Sequence, residues 1–151
     1  MIRDDIKAAL VTAMKAGDKA GTGTLRLIQS ALKNRDIELR TGTAPADDDV
    51  LVVEVLQKMV KQRRESIAMY EQGGRPELAE AEAREVAVIE RFLPQQMSEA
   101  AMEAAVREAV AESGATSVKE MGKVMAVLKA RHAAVLDMGK AGPMVKAALG
   151  G

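Results

Sequence analysis

The side chains able to carry out chemistry in this chain form a short list. His132 is the only histidine and cysteine is absent, so neither a Ser-His-Asp triad, a histidine cluster nor a thiolate site can be assembled. Four carboxylates, Glu80, Glu82, Glu85 and Glu90, stand close together on one helical stretch. Two readings compete for them. One is a solvated or salt-bridged helix face. The other has Glu82 or Glu85, which are three apart and share a face, pointing inward to hold an arginine of the preceding helix. Arg63 is the arginine to watch, because it falls between the core positions Met59/Val60 and Ile67. Gly21-Thr22-Gly23 lacks the lysine and serine or threonine of a phosphate loop and follows a helix instead of a strand. No catalytic residue, cofactor site or metal site is therefore expected.

Cationic side chains offer more. Lys58, Lys61, Arg63 and Arg64 form the densest basic group, with Lys61 and Arg64 on one helix face. Either they pair within the molecule or they meet a phosphate or an acidic partner. Met121-Gly122-Lys123-Val124-Met125 places a glycine inside a helical pattern, at a cost of about 1 kcal/mol against alanine. Close helix packing or close approach of a ligand backbone would offset that cost, and Lys123 beside it suits a phosphate. The candidate nucleic-acid contacts are thus Lys61, Arg64, Gly122, Lys123, Lys129 and Lys140. Asp137 is expected to serve as a turn or cap residue near Gly139.

These residues need helices to position them. Of the 151 residues 48% are hydrophobic and only 1% aromatic, Tyr70 and Phe92, so the core must be aliphatic and stacking on bases is nearly excluded. Ile2, Ile6, Leu10 and Met14 recur every four residues, with Gly17 placed to end that helix. Gly21-Thr22-Gly23 reads as a loop, and Thr24 as the cap of a second helix carrying Leu25, Ile28, Leu32 and Leu39. Asp47-Asp48-Asp49 opens a long third helix that Gly73-Gly74 ends. Pro76 starts a fourth, with Leu78, Ala81, Glu85 and Ile89 on one face, stopping at Pro94.

Shorter, glycine-separated helices follow. Ser98 caps the first, Ser117 and Glu120 form a capping box for the second, and the last runs from about Pro143 to Leu149. No segment alternates with period two, and no internal repeat is read. The expectation is an all-α chain: an N-terminal domain of about four helices at residues 1–94 and a three-helix tail domain at 95–151.

Charge refines the functional classes. Lysine plus arginine and aspartate plus glutamate both number 22, which argues against a general nucleic-acid coat. Yet residues 119–151 hold six bases against Glu120 and Asp137. With no signal-peptide pattern at Met1-Ile2-Arg3-Asp4-Asp5 and no long apolar run, a cytoplasmic protein away from the membrane is expected.

Several motifs in order carry a resemblance. They are Thr24-Leu25-Arg26-Leu27-Ile28, Lys61-Gln62-Arg63-Arg64-Glu65-Ser66, Gly74-Arg75-Pro76-Glu77-Leu78-Ala79, Glu82-Ala83-Arg84-Glu85, Phe92-Leu93-Pro94-Gln95-Gln96, Met121-Gly122-Lys123-Val124-Met125 and the closing Asp137 with Val145-Lys146-Ala147-Ala148-Leu149. Together they make the chain resemble the YqeY-like family over nearly its whole length. One departure is the missing glycine ahead of Asp137. The family is similar to the C-terminal helical region and tail of GatB, a subunit of the glutamine-dependent aminoacyl-tRNA amidotransferase, and to part of the N-terminal region of some glutaminyl-tRNA synthetases. The resemblance implies association with carbon–nitrogen ligase activity using glutamine as amide donor, and partners among tRNA, an aminoacyl-tRNA synthetase or an amidotransferase. It carries over no catalytic centre. The alternative is a protein–protein adaptor that never touches RNA.

Overall fold

Aspartate, serine and glycine punctuation sets where each helix begins and ends. In the computed structural model, which describes residues 1–150, α1 spans Ile2–Lys15, α2 Lys19–Glu38, α3 Asp48–Gln72, α4 Pro76–Glu90, α5 Glu99–Ser113, α6 Met121–His132 and α7 Met138–Ala148. Short 3-10 turns lie at Leu39–Thr41 and Val118–Glu120, and no strand occurs among the described residues. The chain is all-α. Its Cα positions group into two compact units, Met1–Leu93 and Pro94–Gly151.

In the first unit α1 stops because Gly17 takes φ +70°, a left-handed conformation that costs a glycine little. The amides of Gly17 and Asp18 then donate back to the Met14 and Ala13 carbonyls at 3.2 and 3.0 Å, closing a Schellman turn. Asp18 at once caps α2, its carboxylate accepting from the Gly21 amide at 2.9 Å. The expected loop at Gly21-Thr22-Gly23 and the Thr24 cap are therefore corrected. These residues form the first turns of α2, and Thr24 is buried with its hydroxyl donating to the Ala20 carbonyl at 3.2 Å. An aspartate directly after a left-handed glycine supplies the earlier start signal. Gly21 belongs there because a Cβ would run into the capping carboxylate.

The same devices recur downstream. Asp47 caps α3 by accepting from the Asp49 amide at 2.9 Å. Gly74, also at φ +70°, ends it, with the Gly74 and Arg75 amides donating to Glu71 and Tyr70. Pro76 then occupies the opening turn of α4, where its missing amide costs nothing. The buried face of α4 is Ala79, Val86 and Ile89, with Leu78 and Ala81 only half-buried at its edge. Ile6, Leu25, Ile28, Leu32, Leu56 and Ile89 lie within one aliphatic core.

Arg3 ties three helix ends of this unit together. Its Nε and Nη2 donate to Asp48 at 3.0 Å each, and Nη1 and Nη2 to Asp36 at 3.0 and 3.1 Å. The Arg3 hydrogen bond, reinforced by its charge, holds the Asp48 carboxyl below the usual carboxylate range. A lowered folded-state pKa stabilises the unit above the unfolded value of about 4, and that contribution disappears as pH falls through the folded value. Asp48→Asn is therefore expected to flatten the acid limb of a Tm-against-pH curve below about pH 4. Parallel acid limbs in the two proteins would refute this role.

In the second unit Ser98 caps α5 by accepting from the Ala101 amide at 3.1 Å, and Gly114 at φ +70° ends it. The expected Ser117 capping box is corrected, since Ser117 makes no side-chain cap hydrogen bond. The segment starts in 3-10 geometry, and Glu120 instead accepts from the Thr116 amide and hydroxyl at 3.3 and 3.1 Å. The start of α7 is corrected too: Asp137 caps it, accepting from the Gly139 amide at 3.0 Å. Pro143 lies inside that helix, where it forfeits only the bond toward the Gly139 carbonyl, and both residues are exposed to water. Met102, Val106, Val124, Leu128, Leu136 and Val145 lie in the core of this unit. Among the described residues no helix is long and apolar enough to cross a membrane.

Candidate nucleic-acid interface

α6 holds the largest share of the candidate residues. Val124 and Leu128 are buried and anchor it to the core. Successive side chains advance by roughly 100° around a helix. Opposite the anchors, therefore, the exposed residues Gly122, Ala126 and Ala130 form a strip of small side chains, edged by Lys123 on one side and Lys129 on the other. The helix contains no acidic residue.

Each part of this face has a definite electrostatic state. The Lys123 ammonium lies 3.4 Å from Glu120, three residues back, and its side chain remains 66% exposed. Such an exposed pair contributes little, so Lys123 is held lightly. The Thr116 amide, followed by the Thr116 hydroxyl and Lys123, keeps the Glu120 carboxyl below its ordinary range. No ion pair is made by Lys129, or by Lys140 on α7, among the described residues. Arg131, by contrast, is engaged by Glu112 at 2.7 Å. A Cβ added at Gly122 would meet nothing within 4 Å. Close helix packing is thereby removed as the reason for this glycine, and an open approach to the backbone is what it provides.

The basic group on α3, in the first unit, resolves differently. Arg63 is only 15% exposed, and its Nε donates to Glu85 at 2.8 Å with Glu82 at 4.0 Å. Its Nη1 also donates to the Met59 carbonyl at 3.3 Å. The inward-carboxylate reading is thus the one the fold adopts, and Arg63 joins α3 to α4. Arg64 pairs with Glu90 at 2.6 Å on the surface. Its charge is already matched, which weakens its case as a phosphate contact. Lys61 is exposed and makes no ion pair among the described residues.

A family model described as "Yqey-like protein" matches residues 3–149. The chain belongs to the YqeY-like family. Among curated relatives, the Kluyveromyces lactis protein named Altered inheritance of mitochondria protein 41, mitochondrial, is 31% identical over 87 residues, which is 58% of this chain and 45% of that protein. The Clavispora lusitaniae protein of the same name is 34% identical over 88 residues, 58% and 49% of the two chains. An uncharacterized Schizosaccharomyces pombe protein is 28% identical over 93 residues, 62% and 72%. The YqeY-like chain thus spans about half the length of the Kluyveromyces lactis and Clavispora lusitaniae relatives.

Other features of this YqeY-like chain are less suited to an anion. The α2–α3 cleft of about 460 Å³ sets Arg35 and Lys58 against Glu38 and Glu54, so opposite charges line it in equal number. Among the described residues, no group of three or more His, Asp or Glu side chains is gathered as a metal would need. Lys146, on the exposed side of α7, was not among the sequence candidates. The signal for it lies in a comparison of α6 with α7.

Proposed function

We propose that this chain is an accessory module that binds the phosphate backbone of tRNA and works beside a tRNA-charging or glutamine-dependent amide-transfer enzyme, without carrying the chemistry itself. One observation carries the reading: the solvent face of α6, where Lys123 and Lys129 flank small side chains and no carboxylate shares the helix. Such a face suits a phosphate backbone approaching closely. Lys140 on α7 is a further candidate contact, and Lys61 on α3 is a separate candidate within the first unit. With both aromatics in the first unit, recognition rests on backbone shape and charge instead of base stacking. The cytoplasm is the setting this reading assigns, and fractionation of its cell of origin tests that against the mitochondrial names of these relatives.

The second reading is a protein adaptor. Val11 and Met14 on α1 and Leu27 on α2 are exposed apolar side chains of a kind that suits a protein contact. Partners that copurify after nuclease treatment would favour it. Glutamate released from glutamine by the purified chain alone would overturn the non-catalytic role.

A mobility-shift titration with total tRNA tests the main reading. Binding is expected at about 50 mM salt, with log K falling linearly in log salt by roughly 0.7–0.9 per phosphate contacted. Gly122→Ala is expected to raise unfolding stability by about 1 kcal/mol while weakening tRNA binding several-fold, because the added methyl holds a phosphate away. Absence of binding at low salt, or indifference to salt, would sink the proposal.

A further inference from the structure

No internal repeat is read from the letters, yet α6 and α7 share one pattern once the chain is folded. Glu120-Met121-Gly122-Lys123 and Asp137-Met138-Gly139-Lys140 open α6 and α7, and Lys129-Ala130 is matched by Lys146-Ala147 at the same offset. Letters alone leave this as two short coincidences. Folded, the two segments agree position by position. Both acids occupy the N-cap. Val124 and Leu128 answer Ala141 and Val145 as the buried anchors, all at 0–1% exposure. From residues 120–132 to residues 137–149, every buried, half-buried and exposed position coincides. Pro143 replaces Ala126 in the strip of small exposed residues, and Gly139 and Ala147 complete it.

Resting on the RNA-binding reading above, we infer that α6 and α7 are two copies of one phosphate-gripping element, so that the tail engages a polyphosphate backbone through two equivalent cationic faces. The second face is Lys140 and Lys146 about the Gly139 strip. Neither helix contains an acidic residue, whereas α5 carries Glu99, Glu103, Glu108 and Glu112. Within each copy the two lysines are six residues apart, about 9 Å along the helix axis. A single phosphate would satisfy one face at most. Two faces of the same design require a ligand that repeats its own charge, and the backbone of a folded RNA does so. No Phe, Tyr or Trp of this unit is available to stack on a base.

The test uses the full chain and total tRNA over a salt series, comparing Lys123→Ala/Lys129→Ala, Lys140→Ala/Lys146→Ala and the four-lysine variant. These side chains are exposed, so helical circular dichroism is expected to be unchanged. Each pair is expected to lower affinity by a similar factor, about tenfold, and to reduce the salt slope by roughly 1.5, with the four-lysine variant losing both increments. If the α7 pair binds like the parent while the α6 pair is weakened, the duplicated grip is overturned and the RNA-binding function stands. If neither pair matters to a parent that does bind, both the grip and the α6 face fall. Polyglutamate competing as well as tRNA at equal charge would overturn an RNA ligand in favour of an unspecific charge effect on some other site.

Discussion

Arg63→Ala is expected to destabilise the first unit by about 2 kcal/mol, more than most surface substitutions on this chain. The guanidinium is largely buried in the α3–α4 seam, between Glu85 at 2.8 Å and Glu82 at 4.0 Å. Removing it leaves Glu85 and Glu82 without that counter-charge. Breaking a fully buried pair costs about 3–5 kcal/mol, and the partial exposure of both glutamates brings the expectation down. For a unit of this size the loss corresponds to roughly 8–15 °C in Tm. A double-mutant cycle separates the pair from the packing of the arginine stem. Arg63→Met with Glu85→Leu is expected to recover most of the stability, because the seam can accept apolar side chains of similar volume. A loss under about 0.5 kcal/mol for Arg63→Ala would show that water already satisfies both acids.

The largest functional effect is expected from reversing charge on α6. Lys123→Glu with Lys129→Glu replaces two cations beside the Gly122 strip by two anions, while Val124 and Leu128 keep the helix anchored. Two phosphate contacts are lost and two repulsions are added. Affinity for tRNA at low salt is expected to fall about a hundredfold, roughly 2.7 kcal/mol. The deficit is expected to shrink as salt rises, because exposed charges are screened over a Debye length of about 10 Å at 0.1 M. The same reversal at Lys33 and Lys58, exposed lysines of the first unit, serves as the control and is expected to change binding far less. Unchanged affinity in the α6 variant would show that the RNA, if bound, sits elsewhere.

The two predictions separate what a basic residue does in each unit. Arg63 and Lys123 look alike as charges in a helical segment. One is taken up by a carboxylate from the neighbouring helix, and the other, lightly paired with Glu120, stays largely exposed to water. An arginine placed between core positions on α3 had to find a partner, since an unpaired buried charge is costly. A lysine on the face opposite Val124 and Leu128 had no such requirement.

Local chemistry determined much of this protein from its letters alone. Gly17, Gly74 and Gly114 end helices because only glycine enters the left-handed region cheaply, and Asp47 and Ser98 begin them because their oxygens accept orphan amides. Aliphatic spacing placed Ile28, Leu32, Val124 and Leu128 inward. These are effects over one to four residues, and the residues involved are adjacent in the chain. Tertiary structure alone decided where such signals compete or where a partner comes from afar. Asp18 won over Thr24 as the cap of α2, and Asp137 began α7 five residues before Pro143. Glu85, 22 positions from Arg63, neutralised it across the α3–α4 seam. The open space over Gly122, and the matching exposure of α6 and α7, depend on which side of each helix its neighbours cover, and no single helix specifies that by itself.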